Sequence, residues 1–580
     1  MAPTKRKASA LEDEPDGDEG LIIALDFGTT YSGIAYCFTH KEAQQATAIL
    51  NWPDNRGVTA PKIPTLVSYS KDNSEDWKWG ASAEKDLEVI VGIKLLLDPS
   101  QKRPAYLPSG NMNLDVATLP KSPTEIASDF MKGIYKHALA EISKTAPKAY
   151  VDICTKKFIV TVPAVWSDAA KHATLSAAKD AGIHPVIMIK EPEAAALYAA
   201  KSFSFALQAN DAFVVCDAGG GTVDLISYEV EAVRPILQVK ELVPGTGGMS
   251  GSLGLNMRFK AEVQALVGES HWHALQGTKG WAMAEKQFDT QIKPAFDGHE
   301  DEEYFVTFPM VNLPCRPERG LESNTWRMTC KDLKRIFSPL LDDIIQLIDG
   351  QVSQSLSKRK GKPVTGILLV GGFGGSLYLR ERVQKHFPDI EVIQPQDAWA
   401  AVVKGAVLSQ LPRQTIVAST VATRHYGTRI NLVYDRARDL GQPTTLSRDG
   451  TVRCAVMEWF IHTGDDIHRD QVFKNAVFRD LDYDYGPEDL LFTDELYQCE
   501  DSDAPVHQSK SDTVKVNCTL HSDLRTVSRS HFRKRKVISE PFPSYRVSFS
   551  LVLTVKSAVI TFSLEIDGET MGTVEASFDD

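Results

Sequence analysis

No CxxC pair, no GxxxxGK[ST] phosphate loop and no apolar run of membrane-spanning length occurs among these 580 residues. Each absence removes a class of function. The eight cysteines are scattered singly, which disfavours both a structural zinc site and a disulfide framework and fits a reducing compartment. The opening stretch MAPTKRKASALEDEPDGDEG has no hydrophobic segment of the signal-peptide kind, so an intracellular, cytoplasmic protein without a membrane span is expected. Within it, PTKRK at residues 3–7 reads either as part of a solvated, disordered charged tail (residues 1–20) or as a short nuclear-import signal. With 64 Lys and Arg against 76 Asp and Glu, the net charge of −12 argues against nucleic acid as a general partner.

What the chain does contain is a pair of glycine-studded turns with one grammar. LIIAL leads into Asp26 and the turn DFGTTYSGIAY; AFVVC leads into Asp217 and the turn DAGGGTVDLISY, about 190 residues later. That interval is too long for a solenoid period and suits one half of a duplicated, two-lobed domain. In each turn an apolar strand ends at a carboxylate, and glycines let the following backbone N–H groups approach an anion without side chains intervening. A bare carboxylate would repel phosphate, so a metal ion is expected between Asp26 and Asp217, with Mg²⁺ favoured because it binds through few carboxylates and keeps its waters. The ligand these features point to is a magnesium nucleotide held by hairpin loops.

Around the turns, strands alternate with helices from residue 21 to about 410, an α/β architecture. KFIVTVPAVW is read as a strand, Ser167 as an N-cap and Gly182 as the end of the alanine-rich helix between them; PVIMI is a strand that ends at Glu191, where a helix begins. GILLV, the glycine turn GGFGG, the helix SLYLRERVQKHF and a helix capped by Asp397 repeat that order. A largely helical insertion lobe occupies about residues 231–360, its helices falling within about 249–348. Beyond residue 411 the pattern changes to short alternating strands (TRINLVYD, VRCAVMEWFI, VKVNCTL, YRVSFSLVLTV, SAVITFSLEI), a β-rich C-terminal domain over 411–580. Three weaker features are read blandly. His271 and His273 lack the companion ligands of a metal site, RSHFRKRK reads as a charged loop between strands with an address for an import receptor or an anionic surface as the alternative, and the Asn517-Cys518-Thr519 triplet lacks a secretory signal.

The ordered set ALDFGTTYSGIAY, IVTVPAVWSDAAKHATLSAAKDAG, IKEPEAAALYAA, VVCDAGGGTVDLISY, ILLVGGFGGS and AAVVKGAV resembles the nucleotide-binding domain of the seventy-kilodalton heat-shock chaperones, within the actin-like ATPase fold. The resemblance implies ATP or ADP with Mg²⁺ as ligands. It assigns Asp26 and Asp217 to the metal, and Gly28, Thr29, Thr30, Tyr31, Gly219, Gly220, Gly221 and Thr222 to the phosphates. Glu191, Asp224, Thr222, Asp217 and Lys94 are assigned to the chemistry, with Glu191 orienting the water, Asp224 accepting a proton and Lys94 stabilising charge. Gly371, Gly372, Phe373 and Gly375 would border the adenine and ribose, and Lys293 would reach the nucleoside from the insertion. Chaperones usually carry Ser and Arg where this chain has Phe373 and Gly375, so adenine packing must differ. The acidic-leucine linker and helical lid of the chaperones are not legible after residue 411, as in the divergent eukaryotic branch of the family. The expected activity is a slow, chaperone-like ATPase whose nucleotide state controls the β-rich module, with client polypeptides and co-chaperones as partners. A nucleotide-binding scaffold without hydrolysis and a small-molecule kinase of the same fold are the alternatives.

Overall fold

The computed structural model describes residues 20–39, 44–55, 57–86, 88–98, 119–203, 207–395, 397–412, 416–447, 450–535 and 543–578. The basic stretch at residues 3–7 lies outside them.

The first half is built on β1 (Gly20–Asp26), whose LIIAL core is buried on both faces. Such a strand belongs in the middle of a covered sheet. It pairs antiparallel with β2 (Tyr31–Phe38) and parallel with β4 (Thr155–Val162); the short β3 (Thr47–Ala48) and β5 (Val186–Lys190) lie outside these, giving the order β3-β2-β1-β4-β5. Between β4 and β5 runs α1 (Asp168–Asp180), capped by Ser167 Oγ, which accepts from the Ala170 N–H at 3.2 Å, and closed where Gly182 takes φ +81°. After β5 comes α2 (Glu191–Phe203).

The second half repeats this. β6 (Ala212–Ala218), β7 (Val223–Ala232) and β8 (Gln238–Gly248) form the meander, and β9 (Gly366–Val370) and β10 (Glu391–Ile393) add in parallel, in the order β8-β7-β6-β9-β10. Helix α5 (Leu377–His386) joins the last two strands, and α6 (Ala401–Leu408) follows them. The helices α2 and α6, equivalent in the two halves, cross at the centre of the molecule. A Cβ on Gly405 would fall 1.7 Å from the carbonyl oxygen of Ala194, so only glycine permits this approach, and alanines and valines fill the surrounding core. Between β8 and β9 the chain inserts α3 (Leu253–Val267), several shorter helices and α4 (Cys330–Lys358). Their core stacks Phe259 on Phe288 with centroids 4.2 Å apart.

The glycine turn GGFGG is a single helical turn, Gly371–Gly374. One local reading is corrected here. Asp397 caps nothing with its side chain; it accepts from Lys404 at 2.8 Å and from the Tyr198 hydroxyl at 3.0 Å.

Beyond residue 411, Ile416–Val421 adds parallel to residues 238–240 and Asp466–His468 pairs with it, so the second sheet continues past the point where the composition changes. The remaining strands form two sheets. One contains His425–Val433, Val452–Ile461, Leu491–Cys499 and Lys515–Asp523; the other contains Gln471–Leu481, Ser544–Val555 and Ile560–Ile566. The basic run at residue 529 onward is not a loop: Phe532–Arg535 is a strand paired with Ser544–Val555, with Phe532 buried and the three basic side chains exposed. Lysine and arginine on such an edge deter pairing with other chains.

This β region is docked on the first lobe. Ala558, at the turn between two strands, joins that lobe's core, and Ser557 donates to Glu193 of α2. Asp168, the first residue of α1, accepts from the Tyr426 hydroxyl at 2.8 Å and from Asn517 Nδ2 at 3.0 Å. Asn517, the residue of the glycosylation triplet, is thus spent in an interface.

Candidate functional site

Both turns emerge from the same ends of their sheets, and the duplication brings them face to face. Gly28 follows Asp26 so tightly that a Cβ there would lie 2.1 Å from the Tyr31 carbonyl oxygen. In the second turn a Cβ on Gly220 would fall 1.9 Å from Thr30 Oγ1, and one on Gly221 would fall 2.5 Å from Thr29 Oγ1. These glycines let the two turns touch. Gly219 closes its own turn by donating to the Thr222 carbonyl at 2.9 Å. The turn's carbonyls are taken up from behind: the N–H groups of Gly251, Ser252 and Leu253, at the start of α3, donate to Gly221, Gly219 and Gly220. Among the described residues no acceptor is bonded to the N–H groups of Gly220 and Gly221.

At this junction four carboxylates are buried: Asp26, Glu191, Asp217 and Asp224. Asp217 and Asp224 are paired residues on adjacent antiparallel strands. Asp224 is fixed by the Ala164 N–H at 3.0 Å and by Thr222, and its pKa is raised because burial outweighs those bonds and the charge of Lys94. Burial likewise raises Asp217, reinforced by the negative charges of Asp26 and Asp224, against the opposing charges of Lys62 and Lys94. Among the described residues no hydrogen-bond donor reaches the Asp217 carboxylate, which is 6% exposed. Glu191 is raised by burial too, although Lys94 opposes the shift.

Lys94 is placed among these groups by the short helix Ile93–Leu96; it is buried, donates to Glu191 and lies 5.5 Å over the ring of Trp166. Sequence reasoning missed Lys62. Its ammonium, 8% exposed, donates to Asp26 Oδ2 at 2.6 Å, while Thr161 donates to Asp26 Oδ1 at 3.2 Å. The only signal for it was a lysine between prolines in APKIP.

The residues expected around the base are divided. Gly371 takes φ +84°, and a Cβ there would lie 2.3 Å from Asp217 Oδ1, so it packs against that carboxylate. Gly372 and Gly375 are exposed. Phe373 is a correction: its ring is buried in the second lobe's core beside Phe337, so only its backbone is available. Lys293 also departs from expectation. It donates to Asp289 and, at 3.1 Å, to Asn256, so its charge is already engaged within the insertion. Beside Gly372 stands Trp399, an unanticipated aromatic whose ring meets Tyr31 edge-on at 5.5 Å. Tyr31 has its hydroxyl pKa pushed up by burial and by the charges of Asp289 and Glu84, one from each side of the cleft. The Lys286 ammonium bridges that cleft to Glu84 at 2.7 Å.

His271 and His273 are exposed and belong to no metal-ligating group among the described residues. The one such group, Asp439, Cys454 and His507, has its carboxylate occupied by Arg438 at 2.7 and 2.8 Å and both imidazole nitrogens facing backbone carbonyls. No described helix is long and apolar enough to cross a membrane.

A Mg²⁺ ion implied by the fold fits this donor set on one side. Asp217 is a buried carboxylate without a donor, next to backbone that cannot carry side chains, whereas Asp26 already has a cation beside it.

Comparison with known proteins agrees with the geometry. A family model described as "Hsp70 protein" matches residues 22–240. Human heat shock 70 kDa protein 12A is 25% identical over 553 residues, covering 79% of each chain. Human heat shock 70 kDa protein 12B is 24% identical over 497 residues, covering 70% of this chain and 71% of its own. The chloroplastic stromal 70 kDa heat shock-related protein of Pisum sativum is 25% identical over 415 residues, 67% of this chain and 53% of its own. These matches support a nucleotide-binding, Hsp70-like ATPase with the actin-like fold and a β-rich C-terminal region. At about 25% identity, this chain is a distant homologue of Hsp70-family proteins, consistent with a divergent Hsp70 branch.

Proposed function

We propose that the chain binds ATP with Mg²⁺ between the two turns, hydrolyses it slowly and couples nucleotide state to the docked β-rich domain. The observation that supports this best is the convergence of residues 28–31 and 219–222 on one buried cluster of carboxylates. In that reading Gly28, Thr29, Thr30 and Tyr31 face one side of the polyphosphate and Gly219, Gly220, Gly221 and Thr222 the other. Asp217 would hold the metal, with Asp26 contributing charge; when bound, the ion neutralises phosphate charge and orients the chain of oxygens.

For hydrolysis, the water oxygen forms a bond to the terminal phosphorus, the bond from that phosphorus to the ADP oxygen breaks, and the water gives up a proton. In this reading Asp224, anchored by a backbone N–H and raised in pKa, accepts it. Glu191 orients the water and Lys94, beside it, carries positive charge to the developing transition state. Because little of this requires covalent chemistry by the protein, positioning limits the rate. Glu193, two residues after Glu191, contacts Ser557 of the β-rich domain, which provides a short physical route between site and module. Client polypeptides and co-chaperones would act through that module.

A nucleotide-binding scaffold with negligible turnover is the second reading, favoured by the ion pair that already occupies Asp26. Phosphate release from ATP by the whole chain separates them: turnover that Asp217→Asn abolishes supports the ATPase, and saturable binding with no release above buffer supports the scaffold.

A further inference from the structure

We infer that Lys62 is a polyphosphate-binding residue, a cation built into the cleft that does part of the charge neutralisation otherwise left to a divalent ion. The inference rests on the nucleotide reading above and goes beyond it, since neither the paired turns nor the resemblance assigns Lys62 a role.

Its position is built. Residues 63 and 64 pair with residues 31 and 32 of β2, Thr65 donates its N–H to the Thr30 carbonyl at 2.8 Å, and its hydroxyl donates to the Gly28 carbonyl at 2.8 Å. The segment carrying Lys62 is therefore bolted to the first phosphate turn. Its side-chain stem runs across Gly33, where a Cβ would come within 3.0 Å of Lys62 Cγ. The ammonium ends 2.6 Å from Asp26, with Asp217 and Glu191 close enough to stabilise its charge.

The charge count gives the chemistry. Four buried carboxylates face two buried ammonium groups, Lys62 and Lys94, and Lys94 is committed to Glu191. A polyphosphate adds several more negative charges. Asp217 has no donor among the described residues, so a hydrated divalent ion has its natural place there. Asp26, by contrast, has both oxygens bonded by protein donors. Lysine is a compact point charge on a flexible four-carbon stem, and a small rotation carries it from a carboxylate to a neighbouring phosphate oxygen.

The distinguishing property is how strongly nucleotide affinity depends on the divalent ion. ADP is titrated calorimetrically into the whole chain with Mg²⁺ and with EDTA, and the ratio of the two Kd values is compared among variants. The wild type should lose less than about tenfold on removing Mg²⁺, and Lys62→Met should enlarge that ratio by about tenfold or more, with Lys62→Arg close to wild type. A Lys62→Met chain that melts like the wild type and shows the same ratio overturns the inference and leaves nucleotide binding standing. If Lys62→Met does not fold, the wild type decides alone: a loss of about a thousandfold or more in EDTA overturns the inference, and retained binding supports it. Absence of any saturable ADP binding refutes the nucleotide reading and this inference with it.

Discussion

Replacing Asp168 by asparagine should destabilise the folded chain by about 2 kcal/mol at neutral pH, part of it as weaker docking of the β-rich domain on the first lobe. Asp168 begins α1 and meets Tyr426 and Asn517 from the β-rich domain, with Lys171 at 3.0 Å on its own helix. Burial pushes its carboxyl up, but Lys171, Arg424 and the Tyr426 hydroxyl outweigh that and hold it down at about 2, from an ordinary 3.8. A difference of that size, at about 1.4 kcal/mol per unit, corresponds to ~2.5 kcal/mol favouring the folded, ionised form, and the share owed to Lys171, on the same helix, does not depend on docking. The folded pKa is depressed, so the stabilisation is complete above the ordinary carboxylate pKa near 4 and is lost as pH falls from there toward 2. Between pH 5 and 7 the wild-type advantage over Asp168→Asn should therefore be constant. Part of the effect belongs to the helix N-terminus, which favours a negative charge by about 0.3–1 kcal/mol with or without docking. A double-mutant cycle with Tyr426→Phe removes that part, and a coupling of about 1 kcal/mol is expected for a buried hydrogen bond to a charged group. Thermal melts and limited proteolysis at the junction near residue 412 provide the readings. Equal melting and equal cleavage of wild type and Asp168→Asn at pH 7 would refute the reasoning.

Three further outcomes follow from the same geometry. Asp217→Asn should lower ATP turnover by about 10²-fold or more while the fold persists, because it removes the charge that organises metal and water; turnover at the parental rate in a phosphate-release assay would end the assignment. Glu191→Gln should slow single-turnover hydrolysis yet leave ATP affinity within a few-fold, since a group that acts on water contributes mainly to the transition state; matched losses in both would mark Glu191 as a binding or folding residue. Gly405→Ala forces a methyl to 1.7 Å from a backbone oxygen between α2 and α6, an overlap that only helix displacement relieves; destabilisation at or above about 3 kcal/mol is expected, and an unchanged melting temperature would mean that the two helices do not meet as described.

Much of this was legible because it is local. Strand, carboxylate and glycine turn recur in sequence, and both halves fold with the same strand order around them. Ser167 and Gly182 punctuated α1 at the positions read from sequence, since a cap depends on its immediate neighbours. What escaped depends on contacts between distant segments. Lys62 becomes a partner of Asp26 only through the pairing of residues 63–64 with β2, and no local pattern marks it. Phe373 was expected beside the base because the resemblance puts it where the chaperones carry a different residue; the helical turn Gly371–Gly374 rotates its ring into the core instead. Gln471–Leu481 went unread because its apolar residues are interleaved with charges, and its partner, Ser544–Val555, lies far along the chain. The basic edge strand was mistaken for a loop for the opposite reason: three exposed cations hide the single buried Phe532 that anchors it.

The central claim is that the turns at residues 26–31 and 217–222 form one polyphosphate site. Amide hydrogen exchange of the whole chain, with and without saturating Mg-ATP, tests it most directly, because it reads the backbone N–H groups that are supposed to hold the phosphates. The account predicts slowed exchange in both turns together, rising with the same nucleotide concentration dependence. Saturable binding with protection confined to one turn, or lying elsewhere in the molecule, would contradict it.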